Sequence, residues 1–160
     1  MAASCDKSVL FICLGNICRS PIAEAVFLKL LKEKGLFDQW RVDSAAIGSW
    51  HVGSKADSRA ISVLERNNIE IKHRARQIEE SDFHRFKFIL GMDEENMSDL
   101  KRLAPSNSSA KLQLLGCYDP SGELIIEDPY YTKGEKAFFK TLEHCTRACE
   151  GFLNAVLNEK

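Results

Sequence analysis

The chain has 160 residues, and its 22 lysines and arginines nearly balance its 23 aspartates and glutamates, which gives a formal net charge of −1. This balance gives no electrostatic attraction to nucleic acid or to an acidic membrane, and no apolar run is long enough to span a bilayer. Residues 1–7 lack the hydrophobic core of a signal peptide, so we expect a cytoplasmic location, no stable membrane association and six mainly reduced cysteines.

The pattern of apolar residues predicts strands that alternate with helices. Strands are predicted at residues 9–12, 40–44, 86–92 and 111–115, where short apolar runs carry β-branched or aromatic residues. Helices are predicted at residues 20–34, from an N-cap at Asp57 to residue 68, at residues 81–85, after an N-cap at Asp93, and at residues 135–158. In the first of them, Ser20 is the predicted N-cap and Pro21 the first helical residue.

This alternation predicts an α/β fold, a Rossmann-like three-layer sandwich in which helices cover both faces of a four-stranded parallel sheet. The sequence contains no linker and no repeat, so we expect a single domain over residues 1–160. Ligands of such sheets bind beyond the carboxyl ends of the strands. Those ends would gather Cys13, Ser44, Asp93 and the long irregular segment 116–133 at one edge.

The loop between the first strand and the first helix is the strongest candidate site. Five residues separate Cys13 from Arg19, and Gly15 permits a tight turn between them. Inward-facing backbone N–H groups at a helix N-terminus bind phosphate without a metal, and a guanidinium can take two phosphate oxygens at once. The same N–H groups stabilise a thiolate, so Cys13 is a candidate nucleophile that is ionised at neutral pH.

Other interpretations of this loop are weaker. A cysteine at the end of an apolar strand is most often a small buried hydrophobe, and the spacing of Cys13 and Arg19 recurs by chance. A dinucleotide or nucleotide loop fits worse, because the second glycine or the Gly-Lys-Ser/Thr of those motifs is missing. The cysteines also lack the paired Cys-x-x-Cys spacing of a zinc site, so no metal and no cofactor is expected.

Three other features have both a structural and a functional interpretation. Trp50, in the predicted loop at residues 45–56, is either packed or one wall of a cleft. His73 lies in a basic segment, residues 69–77, and such segments are usually solvated surfaces. Asp128 precedes a proline, as turn residues often do, but it lies in a long loop of the kind that tends to be functional.

The sequence resembles the low-molecular-weight protein tyrosine phosphatases from residue 8 to the last helix. The resemblance is carried by residues 9–21, 42–46, 73–77, 92–93 and 128–131. It implies that Cys13 attacks phosphorus and forms a phosphocysteine, while Arg19 stabilises the transition state. It also implies that Asp128 is the general acid and then the general base, and that Ser20 donates a hydrogen bond to the thiolate.

The resemblance implies supporting roles as well. The implied phosphate-binding residues are Leu14, Gly15, Asn16, Ile17, Cys18 and Arg19. The residues implied to hold the loop in shape are Asn16, Ser44, His73 and Asp93, the last of which is also a predicted helix cap. The implied walls for an aromatic ring are Ile17, Trp50, Tyr130 and Tyr131.

The substrates that the resemblance implies are phosphotyrosine proteins and small aryl phosphates, as for an acid phosphatase. An aryl phosphate can reach a thiolate at the base of a cleft, whereas the shorter phosphoserine cannot. Ile17 favours phosphotyrosine, since related protein-arginine phosphatases carry a threonine there. The family further implies a reversible disulfide between Cys13 and Cys18, and tyrosine kinases that act on Tyr130 or Tyr131. We expect a monomer.

Three rival functions remain open at this point. An arsenate reductase of the same fold needs further cysteines after the third strand, and residues 91–109 contain none. A catalytically inactive phosphotyrosine-binding protein would need neither Cys13 nor Asp128. A redox sensor would oxidise Cys13 and Cys18 without releasing phosphate.

Overall fold

A computed structural model describes residues 5–159, so the expectation about the first seven residues lies mostly outside the described part. The strands are β1 (Cys5–Cys13), β2 (Arg41–Ala46), β3 (Phe86–Gly91) and β4 (Lys111–Leu114). The α-helices are α1 (Arg19–Glu33), α2 (Ser58–Arg66), α3 (Asp82–Arg85), α4 (Glu94–Leu103) and α5 (Lys136–Leu157). Short 3₁₀ helices at Phe37–Gln39 and Leu115–Tyr118 follow α1 and β4.

The strands form one parallel sheet in the order β2-β1-β3-β4. Residues 9–12 of the central strand β1 are fully buried, which explains why they form an uninterrupted apolar run. After β2 the chain crosses to the other side of β1, and this reversal leaves a crevice beyond the carboxyl end of β1. Cys13 is the last residue of β1 and therefore lies at the crevice.

Helices cover both faces of the sheet. Val9 and Phe11 of β1 pack in a core with side chains of α1, α2 and α5. Leu10 and Ile12, which alternate with them, pack in a second core with side chains of α3 and α4. The predicted three-layer α/β sandwich with a four-stranded parallel sheet is therefore confirmed.

Several predicted boundaries are wrong. β1 spans Cys5–Cys13, whereas the sequence predicted residues 9–12, and Leu115 belongs to a 3₁₀ helix and not to β4. β2 continues beyond Ser44 to Ala46, because its last residues remain paired with the end of β1. α1 begins at Arg19, and its cap position is Cys18, whose side chain makes no capping hydrogen bond. Ser20 is thus inside the helix and not its N-cap, because its hydroxyl contacts the sulfur of Cys13 instead.

None of the helices within residues 5–159 is both long enough and apolar enough to cross a lipid bilayer.

Candidate active site

A cavity of about 340 Å³ opens beyond the carboxyl end of β1. One side is the loop at residues 13–19, here called the nucleophile loop. The other side combines Trp50 and His51 with the turn at residues 128–132, here called the acid turn. The lining residues are Cys13, Leu14, Gly15, Ile17, Cys18, Arg19, Trp50, His51, Asp128, Tyr130 and Tyr131. The fold thus brings the predicted nucleophile, arginine, acid and aromatic walls to one cavity.

The sulfur of Cys13 is surrounded by hydrogen-bond donors. The hydroxyl of Ser20 lies 3.0 Å from Sγ, and the backbone N–H groups of Asn16 and Ser20 donate to Sγ at 3.3 Å and 3.4 Å. Cys13 is 3% exposed, so few water molecules can solvate a charge there. These three donors are the groups that would stabilise a thiolate at the base of the cavity.

Asn16 holds the nucleophile loop in shape from behind. Its Oδ1 accepts the backbone N–H of Arg76 at 3.0 Å, which fixes the orientation of the amide. Nδ2 therefore donates to the hydroxyls of Ser20 and Ser44, at 2.8 Å and 2.9 Å, and Nε2 of His73 donates to Oδ1 at 2.8 Å. Because Ser20 Oγ accepts from Asn16, its own proton is free to point at Cys13.

The tight turn in the nucleophile loop is made by Asn16 and not, as expected, by Gly15. Asn16 has a φ of 59°, in the left-handed region that asparagine tolerates better than most residues. Gly15 has a different role, because a Cβ atom there would lie 2.9 Å from Cδ2 of His51. The glycine therefore lets the His51 ring lie directly against the loop.

A partly buried cluster of ionisable groups supports Asn16 in turn. The hydroxyl of Ser44 donates to Oε1 of Glu24 at 2.5 Å, and that oxygen lies 3.3 Å from Nδ1 of His73. Oδ1 of Asp43 lies 3.4 Å from the same nitrogen. Burial raises the pKa of Glu24 to about 7, so the cluster can change its protonation near neutral pH.

The same cluster is the group of side chains that comes closest to a metal site within residues 5–159. Glu24, Asp43 and His73 offer ligand atoms that lie within 4.8 Å of one another. Each of these side chains already has a hydrogen-bonding partner in the protein. We therefore interpret the cluster as a support for the nucleophile loop.

Arg19 is 2% exposed and is held from one side. Its Nη1 donates to Oδ2 of Asp93 at 2.7 Å and to the carbonyl of Ile126 at 2.9 Å. Burial opposes the charge, but Cys13 and Asp93 raise the pKa of the guanidinium above its ordinary value. Its Nε–H is buried and has no partner among the described residues, which leaves it available for an oxygen of a ligand in the cavity.

The acid turn carries Asp128 and two tyrosines. Oδ1 of Asp128 accepts the backbone N–H of Tyr130 at 3.0 Å, and Oδ2 lies 3.7 Å from Nη2 of Arg19. The rings of Tyr130 and Tyr131 are nearly perpendicular, with centroids 5.0 Å apart. Trp50 is 71% exposed and Tyr131 82%, so both rings stand at the mouth of the cavity. Trp50 is thus a wall of the cleft and is not packed in the core.

Cys18 closes the other end of the nucleophile loop. It is buried, and burial together with the neighbouring charge of Asp57 raises the pKa of its thiol. The side chain is therefore a neutral thiol at neutral pH.

Four groups at the site escaped the sequence analysis. His51 lines the cavity, Glu24 supports the loop, the carbonyl of Ile126 holds Arg19, and Arg59 contacts the acid turn. Glu24 is the one polar residue between positions 21 and 27 of α1, which was a usable signal. The other three depend on contacts between residues that are distant in the sequence.

Comparison with known proteins agrees with this geometry. The sequence model of the family described as low molecular weight phosphotyrosine protein phosphatase matches residues 8–160. The pig protein of that name is 50% identical over 158 residues, which cover 98% of this chain and 99% of the relative.

Solved structures agree as well. The crystal structure of Primo-1 superposes with a TM-score of 0.91 at 49% identity, covering 95% of this chain and 99% of the other. That of a Drosophila arginine phosphatase superposes with a TM-score of 0.90 at 35% identity, with the same shares covered. The chain therefore belongs to the low molecular weight phosphotyrosine protein phosphatase family, a family of hydrolases.

Proposed function

We propose that this protein hydrolyses phosphotyrosine in proteins, and small aryl phosphates, through a phosphocysteine on Cys13 and without a metal or cofactor. The observation that carries the proposal is the convergence of three groups on one cavity. The sulfur of Cys13 lies within reach of three hydrogen-bond donors, and Asp128 lies 3.7 Å from the guanidinium of Arg19. The Nε–H of Arg19 has no partner within residues 5–159.

In the first step, the thiolate of Cys13 attacks phosphorus and the bond from phosphorus to the phenolic oxygen breaks. Asp128, in its protonated form, gives its proton to the departing oxygen. Arg19 and the backbone N–H groups of Leu14, Gly15, Asn16, Ile17 and Cys18 hold the three non-bridging oxygens while they become equatorial. The products are the free phenol and a phosphocysteine.

In the second step, a water molecule attacks the phosphocysteine. Asp128, now a carboxylate, takes one proton of that water, and the bond from phosphorus to sulfur breaks. The leaving thiolate is stabilised by the Ser20 hydroxyl at 3.0 Å and by the backbone N–H groups of Asn16 and Ser20. Inorganic phosphate leaves, and Asp128 is again protonated for the next cycle.

The walls of the cavity support a preference for phosphotyrosine. Ile17, Trp50, Tyr130 and Tyr131 all line the cavity, and an aryl ring between them would be held on apolar surfaces. A phosphoserine would have to bring its backbone against these walls for its phosphate to reach Cys13. Since an arginine phosphatase shares the fold, phosphoarginine is the competing substrate, and the bulk of Ile17 disfavours it.

Several finer assignments belong to the same proposal. We propose that Cys18 forms a reversible disulfide with Cys13 after oxidation, because the two cysteines lie in one short buried loop. The exposed side chains of Tyr130 and Tyr131 are the proposed targets of tyrosine kinases. We further propose a monomeric, cytoplasmic protein with one domain over residues 1–160.

The experiment that tests the function measures phosphate release from p-nitrophenyl phosphate and a phosphotyrosine peptide with a chelator present. We expect wild-type turnover of both, no turnover by Cys13→Ser, and in Asp128→Ala a loss of roughly hundredfold or more with the phosphotyrosine peptide, whose phenolate needs a proton to depart. Phosphoserine and phosphoarginine peptides and arsenate with thiol are the controls. Binding of phosphotyrosine without turnover would overturn the proposal.

A further inference from the structure

Arg59, near the start of α2, joins the acid turn to the rest of the protein. Its Nη1 donates to the carbonyl of Thr132 at 2.6 Å, and its Nη2 donates to the carbonyl of Tyr130 at 3.0 Å. Its guanidinium also stacks over the ring of Phe138, 4.4 Å from the centroid. These contacts anchor the acid turn, because they hold the backbone carbonyls two and four residues after Asp128.

Asp57 fixes the orientation of Arg59. The two side chains form a two-pronged ion pair, with Nε donating to Oδ1 and Nη2 to Oδ2, both at 3.0 Å. Oδ1 also accepts the backbone N–H of Arg59 at 2.8 Å, as the cap of α2. Burial disfavours the carboxylate, but the hydrogen bonds from Arg59 hold the pKa of Asp57 below its ordinary value.

Asp57 is also tied to the nucleophile loop. Its backbone N–H donates to the carbonyl of Ile17 at 2.8 Å. One continuous set of contacts therefore runs from the loop that carries Cys13, through Asp57 and Arg59, to the turn that carries Asp128. Hydrogen bonds within the turn, from Tyr130 to Asp128 and from Thr132 to Pro129, shape it, and Asp128 itself lies 3.7 Å from Arg19.

We propose that Arg59 is a positioning residue for the proton transfer by Asp128. Asp57 orients Arg59 and so fixes the distance between the acid turn and the nucleophile loop. This inference rests on the proposed function. A planar fork with four donated hydrogen bonds defines position and direction, whereas an ammonium group is a point charge that can satisfy the same carbonyls in many geometries. Loss of the guanidinium therefore leaves Asp128 present but misplaced, and a misplacement of about 1 Å lowers the rate of catalysis substantially.

The test uses leaving groups of different basicity. Nitrophenolate departs readily without a proton, whereas unsubstituted phenolate needs one. Misplacement of Asp128 therefore lowers the rate of the first step mainly for phenyl phosphate. The quantity compared is kcat/KM, which covers only the steps up to release of the phenol. We expect Arg59→Lys to have a kcat/KM within about threefold of wild type for p-nitrophenyl phosphate and about tenfold lower for phenyl phosphate. In the Asp128→Ala background the same substitution should have no further effect on phenyl phosphate, because coupled residues are not additive.

Two further variants make the test decisive. Asp57→Asn keeps a good helix cap but loses the charge that orients Arg59, so it should reproduce the leaving-group pattern of Arg59→Lys and remain usable if that variant fails to fold. Arg66→Lys is the matched control, because Arg66 lies on the same helix and pairs with Glu135 at the start of α5, away from the acid turn. It should match wild type with both substrates.

Equal losses of kcat/KM with both leaving groups in Arg59→Lys and Asp57→Asn would overturn the proposal, since a merely structural role lowers kcat/KM for both substrates alike. Full additivity with Asp128→Ala would overturn it as well. If wild type and Asp128→Ala show the same dependence on the leaving group, it is the assignment of Asp128 in the proposed function that fails.

Discussion

Nη1 of Arg19 lies 2.7 Å from Oδ2 of Asp93, while the other oxygen of that carboxylate accepts the backbone N–H of Asn96 at 2.8 Å. One side chain therefore caps α4 and orients the arginine of the nucleophile loop. The helix cap that the sequence predicts and the loop support that the resemblance implies are thus the same carboxylate.

Substitution of Asp93 separates these two contacts. Asparagine keeps the cap but loses the charge beside Arg19, so Asp93→Asn should lower kcat by roughly tenfold and leave thermal stability almost unchanged. Asp93→Ala loses both contacts and should also lose about 1 kcal/mol of unfolding free energy. Steady-state kinetics and thermal unfolding of the two variants check this, and an equal loss of stability in both would contradict it.

Ser20 and Ser44 differ in their distance from the reacting sulfur. Ser20 contacts Sγ of Cys13 directly, whereas Ser44 acts only through Asn16. We expect Ser20→Ala to slow the breakdown of the phosphocysteine, so that the first turnover is faster than later ones and gives a burst of p-nitrophenol. Ser44→Ala should give a smaller loss without a burst. Stopped-flow absorbance distinguishes them, and equal bursts would count against the assignment.

The raised pKa of Glu24 predicts a dependence of stability on pH. An unfolded glutamate titrates near 4.5 and this folded one near 7, so between these values the folded protein holds a proton that the unfolded chain has lost. The stabilisation is complete below about 4.5 and disappears as the pH rises through 7. Wild type should thus lose up to about 3 kcal/mol relative to Glu24→Gln across this range.

Denaturant unfolding at a series of pH values measures this difference. Burial lowers the pKa of His73, which has the opposite effect on stability, and because His73 contacts Glu24 the comparison is repeated in a His73→Gln background. Glu33→Gln, at the exposed end of the same helix, is the matched control and should show no such trend. A constant difference between wild type and Glu24→Gln would show that Glu24 keeps its ordinary titration.

Cys18 should decide whether oxidation is reversible. Burial raises the pKa of its thiol, so alkylating reagents at neutral pH should modify Cys13 and leave Cys18 unmodified. After brief peroxide treatment, wild type should recover its activity with a dithiol, whereas Cys18→Ser should stay inactive as Cys13 oxidises further. Peptide mapping checks the disulfide, and equal recovery of both proteins would exclude the proposed switch.

The sequence predicted the layers and the sheet because the period of the apolar residues changes from strand to helix at each boundary. The positions of Cys13 and Asp93 followed, since both lie at the carboxyl ends of parallel strands. Ser20 was misassigned because a serine before proline satisfies the rules for a helix cap, whereas here the thiol competes for its hydroxyl. Rules that use only neighbouring residues therefore fail where a side chain makes its hydrogen bonds within the functional site.

The contacts of Arg59 and Asn16 could not be predicted in the same way. Arg59 reaches carbonyls more than 70 residues further along the chain, a separation that carries no local pattern. Asn16 adopts a left-handed backbone next to a glycine that would be the default choice, because its amide is held by four polar groups. Both depend on tertiary structure.

The central claim is that Cys13 forms a covalent bond to phosphorus. Its most direct test is rapid mixing with p-nitrophenyl phosphate, denaturation in alkali within the first turnover, and mass spectrometry of the peptide that contains Cys13. We expect that peptide to gain one phosphoryl group in wild type, to a greater extent in Ser20→Ala, and not in Cys13→Ser. Turnover of the substrate with no phosphoryl group on Cys13, or with one on another residue, would contradict the account.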